Sequence, residues 1–258
     1  MGLTAAPGTR AIITGATGTV GRACAAALGA RGCRLTLLGR RPDALEAVAV
    51  DLAATGVETE TLIFDQRTDR APKIPPHWRS ERLVLINAAA VFGPLTAFAD
   101  AEIDAWTAAV EIDLLGAARL IHAVLPIMID AGWGRIVQVS SAAARDVPGP
   151  FNTAYVVSKL GVDRLLAQLA TELVGTGVTV CSLHPGEIAS AMRDDIATQA
   201  GADRRLAGWT GWAERTADHG DDPAVAAGWV ARLLDDEFAA ELNGRFGFPQ
   251  HGGRTEPL

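Results

Sequence analysis

Cysteine is scarce in this sequence, and the three residues present form no recognisable pair. Cys24, Cys33 and Cys181 are far apart, odd in number and outside any Cys-x-x-Cys spacing. This pattern predicts unpaired, buried thiols in a reducing compartment, so we expect a cytoplasmic protein. The first residues lack a basic region followed by an apolar run, and no signal peptide is predicted.

Long apolar runs and basic stripes are missing as well. No uninterrupted apolar segment reaches the ~18 residues that a membrane span needs, so no membrane span is predicted. The formal net charge is −7 and Lys and Arg do not cluster, which argues against a nucleic-acid partner. The histidines show no metal-ligand spacing, so no metal site is predicted.

The composition and the pattern of apolar runs predict one α/β domain over residues 1–258. Apolar residues make up 49% of the chain and charged residues 21%, which is ordinary for a protein with a full core. Most β-branched runs are continuously apolar, as buried parallel strands are, whereas 57–64 begins by alternating and is expected nearer a sheet edge. The predicted strands are 10–14, 33–38, 57–64, 82–87, 134–140 and 177–184, with a possible last strand at 244–248.

The stretches between these strands carry helix signals. Pro42 opens one helix, as a first-turn proline does. A long helix is predicted over 100–132, where Pro126 should kink or shorten its end. Further helices are predicted at 153–174 and from the N-cap pair Asp222-Pro223 to about residue 236. This regular alternation predicts right-handed crossovers and a doubly wound, Rossmann-type parallel sheet with helices on both faces.

A glycine-rich turn, TGATGTVG at 14–21, follows the first predicted strand and opens the first predicted helix. Glycines permit a tight turn and let the backbone approach a phosphate, while the helix N-terminus supplies free amides and a partial positive charge. We interpret the turn as a dinucleotide-binding site; the alternative is a purely structural connection. The candidate cofactor-binding residues in it are Gly15, Thr17, Gly18, Thr19, Val20 and Gly21.

The second predicted strand ends in Gly39-Arg40-Arg41. Proteins that bind NAD usually carry an acidic residue here to accept the ribose hydroxyls, whereas the extra phosphate of NADP needs cations and no carboxylate. A glycine in the acidic position and two arginines after it favour NADP(H) as the cofactor. The alternative is an exposed basic turn.

Tyr155 is the only tyrosine in the chain, and Lys159 follows it by four residues. On a helix these two side chains lie on one face, about one turn apart. A nearby ammonium favours the phenolate and is expected to lower the pKa of Tyr155, which would make it a proton donor or acceptor near neutral pH. Taken alone, the two residues could equally be a chance pair on a helix surface.

Together these motifs resemble the short-chain dehydrogenase/reductase family over essentially the whole chain. The resemblance implies that Tyr155 is the general acid or base, and that Lys159 lowers its pKa and binds the nicotinamide ribose. It also implies that Ser141 hydrogen-bonds the substrate oxygen, while Ser140 points to the opposite face if the strand alternates. The motifs that carry the resemblance are the glycine-rich turn, NAAA at 87–90, Ser140-Ser141, Tyr155-x-x-x-Lys159 and HPGEIAS at 184–190.

The resemblance implies further cofactor contacts after the third, fourth and sixth strands. Asp65 looks like the family's adenine-binding acid, and Asn87 would lie beside the cofactor ribose. Ser190 stands where the family often has a Thr that contacts the carboxamide. The implied contacts are completed by Ala88, Pro185, Gly186 and Ile188, of which Pro185 and Gly186 would shape the nicotinamide pocket.

Three positions depart from the family pattern. Thr19 stands at the middle glycine of the usual Gly-x-x-x-Gly-x-Gly turn and Gly18 precedes it, a spacing more like that of the extended branch. Ala90 replaces a common glycine, which is a mild change. Asp113 stands where a helix Asn usually completes the catalytic group, its main-chain carbonyl holding a water in a proton relay. An added carboxylate near Lys159 is expected to alter the local charge.

The resemblance implies an NADP-dependent oxidoreductase that transfers a hydride between nicotinamide and a carbonyl compound or secondary alcohol, as a ketoreductase does. Two alternatives stay open. One is an NADP-binding redox sensor or scaffold without turnover, and the other is an extended-type enzyme that modifies sugar nucleotides, for which the chain is short. The family's common dimers and tetramers imply a homodimer or homotetramer through the helices at 100–130 and 153–174.

Residues 187–221 do not follow the βα pattern, because they are polar and rich in glycine. The segment follows the sixth strand, and ligands in open α/β sheets bind at the carboxyl ends of strands, so we predict a mobile substrate lid. Trp209 and Trp212 could close over an apolar substrate; the alternative is that both indoles pack permanently on the core. With Phe92 and Phe151, they predict a partly apolar pocket.

Overall fold

The computed structural model describes residues 6–70, 72–145 and 149–258, so the five N-terminal residues considered above for a signal peptide lie outside it. Eight strands within these ranges form one sheet in the order β3-β2-β1-β4-β5-β6-β7-β8. The strands are β1 (Thr9–Thr14), β2 (Arg34–Gly39), β3 (Thr59–Ile63), β4 (Arg82–Asn87), β5 (Gly134–Val139), β6 (Val178–Leu183), β7 (Arg245–Phe248) and β8 (Arg254–Pro257).

The sheet confirms the doubly wound architecture. Strands β1 to β7 pair in parallel, and the strand order reverses between β1 and β4. Every residue of the central strands β1 and β5 is buried, whereas β3 lies at an edge and is partly exposed, as its alternating sequence predicts. The sequence analysis missed β8, which pairs antiparallel with β7 at the other edge.

Successive apolar residues of the central strands pack on opposite faces, so the core has two layers. Ile13 of β1 lies in the layer covered by α1, α2, α8 and α9, and Ile12 in the layer covered by α4 and α5. The helices are α1 (Thr19–Gly29), α2 (Pro42–Ala53), α3 (Ile103–Val110), α4 (Ala117–Asp130), α5 (Thr153–Glu172), α6 (Ala191–Gly201), α7 (Ala207–His219), α8 (Pro223–Arg232) and α9 (Asp236–Leu242).

The long helix predicted over 100–132 is divided. A π-helical turn at Glu111–Gly116 separates α3 from α4. The helix continues past Pro126 to Asp130, so this proline does not end the helix, and a kink at Pro126 stays a prediction. Asp113 lies in the π-helical turn, a feature that is often found at functional sites.

By length and composition alone, the stretch Ile103–Asp130 is apolar enough to cross a membrane. In this structure 44% of its most apolar part is buried inside the protein. Leu120, Val124 and Met128 of α4 are buried in the second core layer against the sheet. Core packing therefore accounts for the apolar composition of this helix.

Residues 187–221 are helical rather than an irregular connection, which corrects the expectation from their glycine content. Helices α6 and α7 fill most of the segment, and Ser190 caps α6 by accepting a hydrogen bond from the backbone amide three residues later at 3.4 Å. Ile196 and Leu206 pack in a third apolar cluster with Phe92 and Leu95. This tertiary packing outweighs the weak helix propensity of glycine.

Candidate active site

The carboxyl ends of β1, β4, β5 and β6 open onto a cavity of about 770 Å³, at the edge of the sheet where ligands of such folds bind. The residues predicted to bind the cofactor and those predicted to transfer the proton meet there. Its lining includes Gly15, Thr17, Gly18, Thr19, Val20, Gly21, Ala88, Ser141, Tyr155, Lys159, Pro185, Gly186, Ile188 and Ser190. The candidate phosphate-binding turn and the candidate proton-transfer residues therefore share one space.

Two glycines of the glycine-rich turn leave no room for a side chain. Gly15 has a φ of 64°, and a Cβ there would lie 2.6 Å from the Ala89 nitrogen. A Cβ on Gly21 would lie 2.3 Å from the Gly15 carbonyl oxygen, so α1 approaches the end of β1 closely. The amides in the first turn of α1 have no partner within the helix, and its first residues line the cavity. The pyrophosphate of a dinucleotide fits this cradle.

A second cavity of about 410 Å³ shares Gly15 and Thr17 with the first and extends past the end of β2. Its lining includes Arg40, Arg41 and Asp65. Both arginines are exposed, and Arg41 donates a hydrogen bond to the Thr17 hydroxyl at 3.4 Å. Two guanidinium groups therefore border this cavity at the position where NAD binders carry an acid.

Ser141, Tyr155 and Lys159 converge from two elements. Tyr155 and Lys159 lie one turn apart on α5, with the Lys159 Nζ 5.4 Å from the centroid of the Tyr155 ring. Lys159 is 1% exposed, and its Nζ donates a hydrogen bond to the Val139 carbonyl at 3.1 Å. Ser141 lies two residues after the end of β5, and its hydroxyl interacts with Tyr155. This arrangement can hold a carbonyl oxygen between a phenol and a hydroxyl.

Burial raises the pKa of Tyr155, and this cause is larger than the opposing effect of the Lys159 ammonium. The Asp113 carboxylate also raises the pKa of Tyr155, while the hydrogen bond from Ser141 lowers it. The expectation that Lys159 brings the tyrosine pKa below its ordinary value is therefore wrong for the protein alone. At neutral pH Tyr155 is protonated, which is the form a proton donor needs.

Asp113 lies behind Lys159 and lines neither cavity. It is 1% exposed, and its Oδ1 accepts a hydrogen bond from the Val91 amide at 2.8 Å. Its Oδ2 lies 3.8 Å from the Lys159 Nζ and has no hydrogen-bond partner among the described residues. Burial raises the pKa of Asp113 to about 6, with Lys159 opposing the rise. The side chain of this residue therefore places a carboxylate beside the Lys159 ammonium.

Asn87 and Ser190 differ in their access to the two cavities, and their cofactor contacts stay a prediction. Asn87 is 1% exposed, lines neither cavity, and has an amide without a hydrogen-bond partner in the part of the chain that the structure describes. Ala88 lines both cavities instead. The Ser190 hydroxyl borders the first cavity but caps α6. Within the described ranges, no group of three or more His, Cys, Asp or Glu could hold a metal ion.

Asp163 is a buried residue that the sequence analysis missed. It lies one turn after Lys159 on α5 and is 1% exposed. Its two oxygens accept hydrogen bonds from the hydroxyls of Ser140 at 2.9 Å and Ser182 at 2.6 Å. Burial raises the pKa of Asp163 to about 6. The carboxylate thus ties the ends of β5 and β6 to α5, and an acid one turn after Lys159 on the same helix was the available signal.

Helices α6 and α7 both contribute residues to the lining of the first cavity. Trp209 and Trp212 line the cavity and also pack against the third apolar cluster. Phe151 packs against the same cluster and has a φ of 79°, a conformation that non-glycine residues rarely adopt. The movement of 187–221 as a lid stays a prediction.

Comparison with known proteins identifies the family. The model of the short chain dehydrogenase family matches residues 9–201. The chain belongs to the short-chain dehydrogenase/reductase family. This result confirms the resemblance inferred from the motifs, and the single-domain fold with a largely parallel sheet agrees with it.

Individual relatives and structures extend the comparison. A short chain dehydrogenase of Pseudocercospora fijiensis is 33% identical over 191 residues, which cover 72% of this chain and 61% of that protein. The match therefore spans less than two thirds of that relative. Sulfoacetaldehyde reductase 2 of Chromohalobacter salexigens is 31% identical, over 68% of this chain and 71% of that protein. A variant of actinorhodin polyketide ketoreductase, solved with NADPH, has a TM-score of 0.76 and 26% identity over 90% of this chain and 92% of that chain.

Proposed function

We propose that this protein is an NADP(H)-dependent oxidoreductase that interconverts a carbonyl compound and a secondary alcohol, with reduction as its working direction. The observation that carries the proposal is the convergence of Ser141, Tyr155 and Lys159 on a cavity that continues to the glycine-rich turn. The family is one of oxidoreductases; the cofactor preference and the carbonyl substrate are the proposed additions.

In this proposal the chain's own residues handle the proton and the oxygen. When bound, NADP(H) supplies or accepts the hydride. Tyr155, protonated at neutral pH, donates its proton to the carbonyl oxygen in reduction and accepts it in oxidation. The Ser141 hydroxyl donates a hydrogen bond to the same oxygen as negative charge develops on it. Lys159 stabilises the phenolate that remains after the transfer.

The preference for NADP(H) is supported by the end of β2. Gly39 replaces the acid that would repel a phosphate, and Arg40 and Arg41 border the second cavity. The ketoreductase with the similar fold was solved with NADPH.

We extend the proposal to a homo-oligomer, because α5 leaves Val157 and Leu160 about half exposed, at 45% and 51%.

Binding of the two cofactors tests the cofactor preference. NADPH should bind at least about tenfold more tightly than NADH, which corresponds to about 1.4 kcal/mol. Arg40→Ala should remove most of this margin, while Arg79→Ala, which changes an exposed arginine far from the cavity lining, should keep it. Calorimetric titration measures both affinities. Equal affinities in the unaltered protein would contradict the proposed preference.

Turnover tests the proposed reaction. A panel of aldehydes and ketones is incubated with NADPH, and the loss of absorbance of the reduced nicotinamide is followed. Tyr155→Phe removes the proton donor and keeps the ring, so kcat should fall by roughly two to four decades while NADPH affinity persists. A Tyr155→Phe variant that turns over at the unaltered rate would exclude Tyr155 as the proton donor.

One observation favours a second candidate, an NADP-binding sensor without turnover. Asp113 replaces the helix Asn, and its unpartnered Oδ2 faces Lys159 at 3.8 Å. A carboxylate there holds the ammonium and opposes ionisation of Tyr155. Tight NADPH binding without turnover of any carbonyl compound, together with a gain of several decades in Asp113→Asn, would favour this candidate over the reductase.

A further inference from the structure

Four aromatic rings are among the residues that line the first cavity. The ring centroids of Tyr155 and Phe92 are 4.9 Å apart, those of Phe92 and Trp209 are 5.3 Å apart, and those of Trp209 and Trp212 are 6.1 Å apart. Each ring contacts the next. The four side chains, which we call the aromatic wall, form a continuous apolar surface that begins at the candidate proton donor.

The aromatic wall is held in place by its surroundings. The Trp209 Nε1 donates a hydrogen bond to the Pro150 carbonyl at 2.9 Å. Phe92 is 4% exposed, and its ring meets the Trp209 indole at an interplanar angle of 72°, a favoured edge-to-face contact. The backbone of Gly149 lies against the same indole, since a Cβ there would be 3.3 Å from Trp209 Cζ2. These contacts fix the orientation of the central indole without any bound substrate.

The rest of this part of the cavity adds apolar surface and little free charge. Met192 and Ile196 of α6 line it. Arg193 is paired with Asp194, and Arg205 with Asp203, each at 2.7 Å. Glu187 also borders the cavity but is exposed to water. Both arginines therefore have a carboxylate partner, although the Arg193 Nε has no hydrogen-bond partner among the described residues, whereas an apolar ring would meet other rings.

We propose that the substrate is a carbonyl compound whose carbonyl group is joined to a flat apolar ring system, an inference that rests on the proposed reductase activity. The ring system packs along the aromatic wall, and the carbonyl oxygen reaches the Tyr155 hydroxyl, because Tyr155 is itself the first ring of the wall. The carbonyl carbon takes the hydride of NADPH and the oxygen takes the Tyr155 proton. The π bond of C=O is replaced by C–H and O–H bonds, so the ketone is reduced and the nicotinamide oxidised.

A saturated ring of the same size would occupy the same volume but lose the attraction between aromatic rings. That attraction adds to the effect of buried area and is worth a factor of roughly two to ten in affinity for each ring pair. The structure therefore predicts selection for flatness rather than for size alone. Trp209 is the specificity-determining residue, because it lies between Phe92 and Trp212 in the wall and its indole is held by a hydrogen bond.

A matched pair of ketones tests this selection. β-Tetralone has one flat aromatic ring, β-decalone is its saturated counterpart, and butanone is a small reference carbonyl compound. We expect kcat/KM with NADPH to be about tenfold higher for β-tetralone than for β-decalone, mainly through KM. Trp209→Leu should bring the two ketones to similar values, and Trp209→Phe should keep most of the preference. Trp106→Leu, outside the cavity lining, should behave like the unaltered protein.

A binding measurement tests the inference without turnover. β-Naphthol has flat rings and an alcohol that cannot be oxidised to a ketone, and β-decalol is its saturated counterpart. Calorimetry on the protein without cofactor should show β-naphthol binding about tenfold more tightly, with the margin lost in Trp209→Leu. The melting temperature of each variant identifies any loss of folding, and Trp209→Phe retains a ring if Trp209→Leu unfolds.

The outcomes separate the two proposals. If butanone is reduced but β-tetralone shows no advantage over β-decalone, the substrate class is wrong and the reductase function stands. If no carbonyl compound is reduced, the reductase function fails. If β-naphthol and β-decalol bind equally tightly, the preference of the wall for flat rings is wrong, whatever the turnover experiment shows. A preference that persists unchanged in Trp209→Leu also overturns the assignment to the aromatic wall.

Discussion

Two buried aspartates flank Lys159, and the structure satisfies them in different ways. Asp113 and Asp163 are each 1% exposed, and burial raises the pKa of each to about 6. Both oxygens of Asp163 accept hydrogen bonds from serine hydroxyls. Asp113 has one oxygen bonded to a backbone amide and another that faces the Lys159 Nζ at 3.8 Å without a hydrogen-bond partner among the described residues.

This difference shows that similar burial does not imply a similar role. The negative charge of Asp163 is spread over two hydrogen bonds that join strand ends to α5, so it serves the framework of the site. The unpartnered oxygen of Asp113 faces the Lys159 ammonium, and its carboxylate raises the pKa of Tyr155, so Asp113 acts on the proton-transfer residues. An Asn in its place that kept the Val91 bond would turn an NH2 group toward the ammonium and lose this attraction.

Removing the shared cation should produce the largest effect. Lys159→Met leaves both carboxyl groups without their counter-charge and removes the group that stabilises the Tyr155 phenolate. We expect kcat for a carbonyl substrate to fall by about three decades. Lys73→Met is the matched control, because Lys73 is the only other lysine and is exposed. A loss below tenfold would mean that neither aspartate acts through Lys159.

Replacing Asp163 should affect stability next most strongly. Asp163→Leu leaves the hydroxyls of Ser140 and Ser182 buried without their acceptor, and we expect the free energy of unfolding to fall by about 3 kcal/mol. Asp163→Asn keeps an acceptor and should cost about 1 kcal/mol. Denaturant unfolding measures both values. Adding Ser140→Ala and Ser182→Ala to Asp163→Leu should recover part of the loss, and no recovery would show that the carboxylate does not serve these serines.

The roles of the two aspartates also show what local patterns can and cannot reveal. The strands β1 and β5 and the glycine-rich turn could be predicted, because continuous apolar runs and glycine spacing report local constraints. Asp163 could not be placed, since its partners Ser140 and Ser182 lie 23 and 19 residues away and meet it only after the sheet has formed.

The direction of the tyrosine pKa was wrong for a related reason. The spacing of Tyr155 and Lys159 shows the neighbouring charge, whereas burial depends on the whole fold and outweighs it. The helices α6 and α7 were missed because their packing against Phe92 and Leu95 is tertiary and compensates for glycine. The strand β8 was missed because it is short and ends in Pro257.

Asp113→Asn should produce the smallest change, and it separates the two aspartates by pH. The carboxylate of Asp113 raises the pKa of Tyr155, so its removal lowers that pKa. Oxidation of an alcohol requires the phenolate and becomes faster as pH rises through the tyrosine pKa, so this rise should move to lower pH in Asp113→Asn. We expect the shift to be below about one pH unit and the rate at its plateau to stay within about tenfold.

The matched control for this shift is Asp163→Asn. Its carboxylate also raises the pKa of Tyr155, but as the last of the causes, whereas Asp113 acts more strongly. The control should therefore move the pH profile of alcohol oxidation by less than Asp113→Asn does, while it lowers stability more. Initial rates with NADP+ across the alkaline range, together with unfolding curves for both variants, measure the two effects. If Asp163→Asn shifts the profile more than Asp113→Asn, the carboxylate that controls Tyr155 is the one bonded to the serines, and the unpartnered oxygen of Asp113 has no part in proton transfer.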